Sequence, residues 1–461
     1  MTLSSRNDRR DHASLFGTAA VAWMLAASKW GSHIPIGPFF VADALIGFAA
    51  AYALASYSLK PARQLRPSSE LTPRPHWALV LLLGWAILRL AFSEIDFGMT
   101  ALRDFAPYAY VLVGVISGVA AYFSTARSRA RTCQVLWWAL IFHLAWVALV
   151  RLLPSVRGMM PAVPGEQMQM FQSRGDIDMA ILGVTAAVAL YRWLDRRGAY
   201  YLFIGCIAIA VALLIPSRAG LIGAILPVAF VLVLSLGNKR HFGRSVLIGT
   251  AIPLVAIAAL FALAQTPAVN RVLATFDPTV ATDERASAQG TTEAREQAWQ
   301  VLINYTMGDD VRAIAGVGFG PDVMLDSDAA YALLGAEGVD DGVRSPHNYW
   351  IGTLARMGII GAALAITVAL ATCARIVRIR QYLGLSELHL IAAAIVLAFL
   401  PTATFGVTLE SPFGAIPYYW AAGIILGVRV RSQSVEAPKP DLARAGNPSL
   451  ALPAGGAAWR Q

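Results

Sequence analysis

Arg344-Ser-Pro-His-Asn-Tyr-Trp-Ile-Gly-Thr-Leu-Ala-Arg-Met-Gly-Ile-Ile-Gly361 passes from polar loop to apolar helix within a few residues, and its reading decides the fold. Pro346 suits the first turn of a helix, where its missing N–H would be unpaired anyway. His347 and Asn348 then stand at the helix mouth, beside Tyr349 and Trp350, whose rings favour a membrane interface. An imidazole there can titrate near neutral pH and reach a polar substrate whose tail lies in lipid. The plainer reading makes the same pair a helix cap and a turn. The rest of the chain decides between them.

Working outward, the chain has 461 residues, of which 57% are hydrophobic and only 14% charged. Its mean hydropathy is +0.57. Soluble domains carry about 25% charged residues, so this deficit points to an all-α polytopic integral membrane protein. Apolar runs recur near 14–30, 36–58, 77–93, 101–123, 134–153, 177–194, 199–215, 220–237, 245–264, 347–372, 389–406 and 414–430. They predict a bundle of about 12 transmembrane helices, because the runs lack the alternation that barrel strands show.

The net charge of +9 is distributed by topology rather than by nucleic-acid contact. With Met1 cytoplasmic, every second loop is basic: Arg127, Arg129 and Arg131 in one, Arg192, Arg196 and Arg197 in the next, then Arg375, Arg378 and Arg380. That is the positive-inside rule, and it puts both termini in the cytoplasm of a multi-pass protein. No basic and aromatic patch has the look of a nucleic-acid footprint. Ala26-Ala27-Ser28 faintly resembles a signal-peptidase site, but the spans that follow favour an uncleaved anchor. Cys133, Cys206 and Cys373 fall in or at the inner ends of predicted helices, which leaves no disulfide framework and no cysteine zinc site.

Four segments result: residues 1–264 as the first nine helices, 265–346 as a large extracytoplasmic loop with short helices, 347–431 as the last three helices, and 432–461 as a disordered cytoplasmic tail. So long a loop needs a function. Inside it the run from Thr291 to Tyr305 predicts an amphipathic helix, with Thr291 as N-cap and Ala294, Ala298, Leu302 and Tyr305 on one face.

Outward arginines are the anomaly, since the positive-inside rule depletes them. Arg174, Arg218, Arg295, Arg344 and Arg356 all fall on the outer side of the predicted topology. A guanidinium there faces a carboxylate or an anion, and its planar fork matches phosphate oxygens. For Arg103 the adjacent Asp104 supplies the expected carboxylate. Gly316-Val-Gly-Phe-Gly320 resembles a phosphate loop, but no strand and helix flank it and a turn is expected. Asp326-Ser-Asp328 lies in an acidic segment and reads as solvated loop, and Glu410-Ser-Pro-Phe as a turn or a wall of a cavity.

The ordered set Ala-Arg295-Glu-Gln-Ala-Trp, Gly-Val-Gly-Phe-Gly and Pro-His347-Asn-Tyr-Trp-Ile resembles the O-antigen ligase and polymerase group of bacterial membrane glycosyltransferases. Pro-Ser-Arg218-Ala-Gly is similar to that group's outer Ser-Arg-Gly turn, with Ala219 in place of the commoner Gly or Thr. The resemblance implies transfer of a glycan from undecaprenyl pyrophosphate to a sugar or lipid hydroxyl at the periplasmic or extracellular face of the inner membrane. It implies an inverting reaction with no cofactor and no metal. His347 would be the catalytic histidine, helped by Asn348, and Arg218 and Arg295, with Arg174, would bind the pyrophosphate. Partners would be the lipid-linked donor, the acceptor, membrane lipids and other polysaccharide-assembly proteins. Ligase, polymerase and protein-O-glycosylating variants share these motifs. The alternatives are a flippase of the same lipid-linked glycan, against which the missing two-fold repeat counts, and a non-catalytic scaffold.

Overall fold

Three helices occupy the centre of the bundle because their sequences are apolar on every side: α7 (Gly175–Arg196), α15 (Glu387–Thr404) and α16 (Pro412–Gly427). Every residue from Ile177 to Leu190 of α7, and from Phe413 to Ile425 of α16, is buried. The computed structural model describes residues 3–36, 39–58, 76–123, 125–164, 169–236, 282–334, 344–382 and 386–427. The span expected at 245–264 and the tail at 432–461 lie outside the described residues.

Around the centre stand α1 (Leu3–Gly31), α2 (Val41–Ser58), α3 (Trp77–Phe97), α4 (Met99–Ala109), α5 (Val111–Phe123), α6 (Ala126–Leu152), α8 (Ala199–Leu213), α9 (Arg218–Leu236) and α14 (Tyr349–Tyr382). A short β ribbon, Pro35–Ile36 with Phe39–Phe40, precedes α2, so the span expected from residue 36 begins at Val41. The run expected at 101–123 is two helices meeting at Tyr110. Among the described residues six helices are long and apolar enough to cross a membrane. Large side chains such as Phe48, Phe92, Trp138, Phe203 and Leu370 are exposed on the outer helices, as a lipid-facing surface requires.

Small residues let two helices close on each other. Gly114 and Gly118 of α5 face Gly423 and Gly427 of α16, and a Cβ built on Gly423 would lie 2.0 Å from the Gly114 carbonyl oxygen. This is the small-xxx-small contact through which membrane helices approach backbone to backbone.

Helix directions alternate, so the bundle has two chemically distinct ends. At one end Arg192 and Arg196, near the close of α7, pair with Glu387 at the start of α15. Arg192 also donates to the Cys133 carbonyl at 3.4 Å, near the start of α6, where Arg127, Arg129 and Arg131 lie. At the other end Ser28, near the close of α1, bonds to Asp178 near the start of α7. There Arg151, near the close of α6, donates to Ser173.

The segment after α9 contributes α10 (Thr282–Met307), α11 (Asp310–Ala315), α12 (Val323–Asp326) and α13 (Ala329–Leu334). The expected amphipathic helix is present but starts at Thr282, so Thr291 is internal rather than the cap. The intervening Glu, Arg, Ala and Gln residues are helix formers. Ala298 and Leu302 are fully buried against Val323, Met324, Ala329, Ala330 and Ala355, so this face packs on α12, α13 and α14.

A break in α14 holds this cap to the bundle. Gly358 has φ 67°, and a Cβ there would lie 2.2 Å from the Ile314 carbonyl oxygen, so only glycine fits. The carbonyls freed by the break are taken up from outside the helix. Val317 N–H donates to Ala355 at 2.8 Å, Gly318 N–H to Arg356 at 3.0 Å, and Trp85 Nε1 to Met357 at 3.0 Å. Phe319 N–H goes to Ser93 Oγ, and Gly320 N–H to Asp104 Oδ2. The Gly-Val-Gly-Phe-Gly stretch is therefore a turn whose N–H groups are used by protein, with positive φ at Gly316, Gly318 and Gly320.

Asp104 corrects an expectation. Its Oδ2 accepts from Arg344 Nη2 at 2.9 Å and Arg356 Nη1 at 2.8 Å, rather than pairing with Arg103. Arg344 also reaches Asp322 at 3.2 Å. Arg344 and Arg356 thus find their carboxylates in elements far along the chain and serve to hold the cap. With the Asp104 side chain only 6% exposed, Asp104→Ala leaves two guanidinium groups without their shared partner. The expected loss is about 3 kcal/mol, the scale for breaking a buried ion pair. Thermal unfolding of the detergent-solubilised protein measures it, and an unchanged melting temperature would show that the clasp does not hold the cap.

Candidate functional site

Four of the residues singled out from sequence converge at the end of the bundle away from the Arg192–Glu387 pair. Each arrives by a different local device. Arg218 opens α9, where the Ser217 hydroxyl accepts from Gly220 N–H at 3.1 Å and caps the helix. A Cβ on Gly220 would lie 2.9 Å from Met179 Cβ and 3.0 Å from the Asp176 carbonyl, so glycine lets α9 start against the start of α7. Arg174 is the N-cap of α7, with its N–H on Asp178 Oδ2 at 2.6 Å and its Nε on Asp176 Oδ1 at 3.0 Å. Its guanidinium also stands 5.5 Å from the Phe413 ring centroid. Arg295 comes from α10 and donates from Nη1 to the Phe405 carbonyl at 3.0 Å. Burial lowers the Arg295 pKa, Asp176 acts against that, and Arg218 and Arg174 add to the lowering.

His347 stands just outside α14, whose first residue is Tyr349. The N-cap is Asn348, not a turn started by Pro346. Asn348 Oδ1 accepts from Trp350 N–H at 3.0 Å and Ile351 N–H at 3.3 Å, the geometry for which asparagine is preferred at this position. The side-chain oxygen is thereby committed, and Asn348 contributes by fixing where its neighbour stands. His347 has φ 55°, a left-handed conformation uncommon for a residue with a side chain. Flanking bonds hold it there: Trp299 Nε1 donates to the Pro346 carbonyl at 2.7 Å, and His347 N–H donates to Ser345 Oγ at 3.1 Å. Ser345 in turn donates to Glu410 Oε2.

Burial pushes the His347 pKa down to about 4, and the charges of Arg295 and Arg174 push the same way, with Asp176 opposing. The imidazole is therefore neutral at pH 7 and able to accept a proton. Glu410 is pushed up to about 7 by burial, against the Ser345 hydrogen bond and the charges of Arg356 and Arg174. Its Oε1 has no hydrogen-bond partner among the described residues.

Asp176 escaped the sequence reading because an acid in the first turn of a helix looks like an ordinary dipole partner. In the structure it is the carboxylate that Arg174 binds and that Arg295 and His347 feel. Lys29 of α1 escaped it too, although it lies among the charges of Arg174, Asp176 and Asp178. Asp326 and Asp328 are exposed, and no group of three His, Cys, Asp or Glu side chains among the described residues is placed to hold a metal ion. The arrangement is a neutral base beside several fixed cations, suited to removing one proton where a polyanion is held.

Residues 202–366 match the family model described as O-antigen ligase, a stretch containing Arg218, Arg295 and His347. The match supports the O-antigen ligase family, to which the sequence motifs bear their resemblance. No curated protein matches the chain.

Proposed function

We propose that this protein, part of which matches the O-antigen ligase family model, moves a glycan from a polyprenyl pyrophosphate carrier to a sugar or lipid hydroxyl during surface-polysaccharide assembly. The observation that carries this reading is a histidine kept neutral by burial that feels the charges of Arg295 and Arg174, with Arg218 acting on Arg295 in turn. The acceptor oxygen attacks the anomeric carbon as the bond from that carbon to the pyrophosphate oxygen breaks. The hydroxyl proton passes to the His347 imidazole, and the bonding pair leaves with the pyrophosphate. Pyrophosphate needs no protonation to depart, so one base and fixed positive charge suffice. Direct displacement inverts the anomeric configuration. The site faces the extracytoplasmic side, since the basic loops predict the opposite end to be cytoplasmic.

Deletion of the gene, followed by analysis of the lipid-linked glycans that accumulate, tests the function. Long unattached chains outside the inner membrane identify a ligase, and single repeats outside it a polymerase. Repeats trapped on the cytoplasmic side would overturn transfer in favour of a flippase.

A further inference from the structure

We propose that Lys29 is a further cation of the donor-phosphate site, brought there by a break in α1 at Ser28; this rests on the pyrophosphate reading above. The break is a built feature. Ser28 has φ 54° and ψ −133° within an otherwise helical segment, and it is fully buried. Such a conformation at a residue with a Cβ persists only where its surroundings fix it. Here the Ser28 hydroxyl donates to Asp178 Oδ1 at 2.8 Å, and Asp178 is itself fully buried. The neighbouring Ala26 carbonyl accepts from Trp146 Nε1 at 2.7 Å, with His143 Nδ1 at 3.4 Å. Beyond the break the chain closes on itself, Ser32 donating from both N–H and Oγ to the Lys29 carbonyl.

Asp178 links this break to the site. One of its oxygens holds Ser28 and the other accepts from the backbone N–H of Arg174, so α1 and the start of α7 are locked in register. His143 Nε2 lies 3.8 Å from the same carboxylate. Lys29, next along the chain from Ser28, is half-buried among the charges of Arg174, Asp176 and Asp178. Yet its ammonium makes no ion pair within 4 Å among the described residues, while Asp176 is already taken by Arg174. A half-buried cation without a close carboxylate is costly unless an anion arrives to meet it. A pyrophosphate diester, with a negative charge on each phosphate, supplies that anion. Arg295 and Arg218 approach from α10 and α9, and Lys29 approaches from α1, next to Arg174.

The test measures binding of undecaprenyl pyrophosphate to the full-length protein in nanodiscs of zwitterionic lipid, beside thermal unfolding of each variant. Lys29→Met is expected to weaken binding about tenfold, the loss of one charge-assisted contact, with the melting temperature unchanged. Lys29→Arg should restore it. Wild-type affinity in Lys29→Met would overturn the proposal, and so would weakened binding that Lys29→Arg fails to restore, because that outcome marks a packing role. The underlying reading fails differently: the wild type itself would not bind the probe, or Arg218→Lys and Arg295→Lys would bind it unchanged.

Discussion

Replacing His347 by alanine is expected to lower the transfer rate by about 10²- to 10⁴-fold, the usual contribution of a general base, while donor binding persists. The imidazole touches the site without anchoring it: the main-chain bonds to Ser345 and Trp299 and the Asn348 cap fix the segment. The same residue sets the pH profile. With its pKa pushed down to about 4, His347 is the free base across neutral pH, and kcat/KM falls on the acid side only near that value. An ordinary histidine would give the limb near about 6.5. Bound donor brings negative charge to the imidazole and raises its pKa, so the acid limb of kcat should lie at higher pH than that of kcat/KM. An acid limb of kcat/KM near pH 6.5 that survives His347→Ala would assign the base elsewhere. A product that retains its anomeric configuration would replace direct displacement by a covalent intermediate.

How much of this was legible in the sequence depends on whether the cause is local. Apolar runs are local, so most helices were placed, and the buried α15 and α16 fall within a few residues of the expected 389–406 and 414–430. Outward cations are a departure from a rule that is itself read along the chain, and this singled out Arg174, Arg218 and Arg295. Pairing across the fold has no such signature. Arg344 and Arg356 looked like the other three, but Asp104, more than two hundred positions away, engages both. The break at Gly358 was hidden because an isolated glycine in an apolar helix is commonly tolerated. The start of α14 was misread by two residues because proline's preference for a first turn competed with the asparagine cap, and the cap won.

Arg295→Lys is expected to lower kcat/KM by about 10²- to 10³-fold, although it conserves the formal charge. Among the described residues Arg295 makes one side-chain hydrogen bond, from Nη1 to the Phe405 carbonyl, which orients the guanidinium and leaves its other N–H groups for a ligand. Lysine lacks the fork that meets two phosphate oxygens at once. It is also the weaker cation in this setting. Burial and the charges of Arg218 and Arg174 lower the pKa of whatever cation stands here. An arginine begins high enough to stay charged, whereas a lysine begins about two units lower. Arg218→Lys should behave in the same way for the fork alone. Kinetics on purified variants, with melting temperatures alongside, separate these effects. If the loss comes from the fork, it is insensitive to pH; if the substituted lysine is partly neutral, activity recovers as the pH falls toward 6. Full activity of Arg295→Lys at every pH would sink both accounts and leave Arg295 a structural tie between α10 and the end of α15.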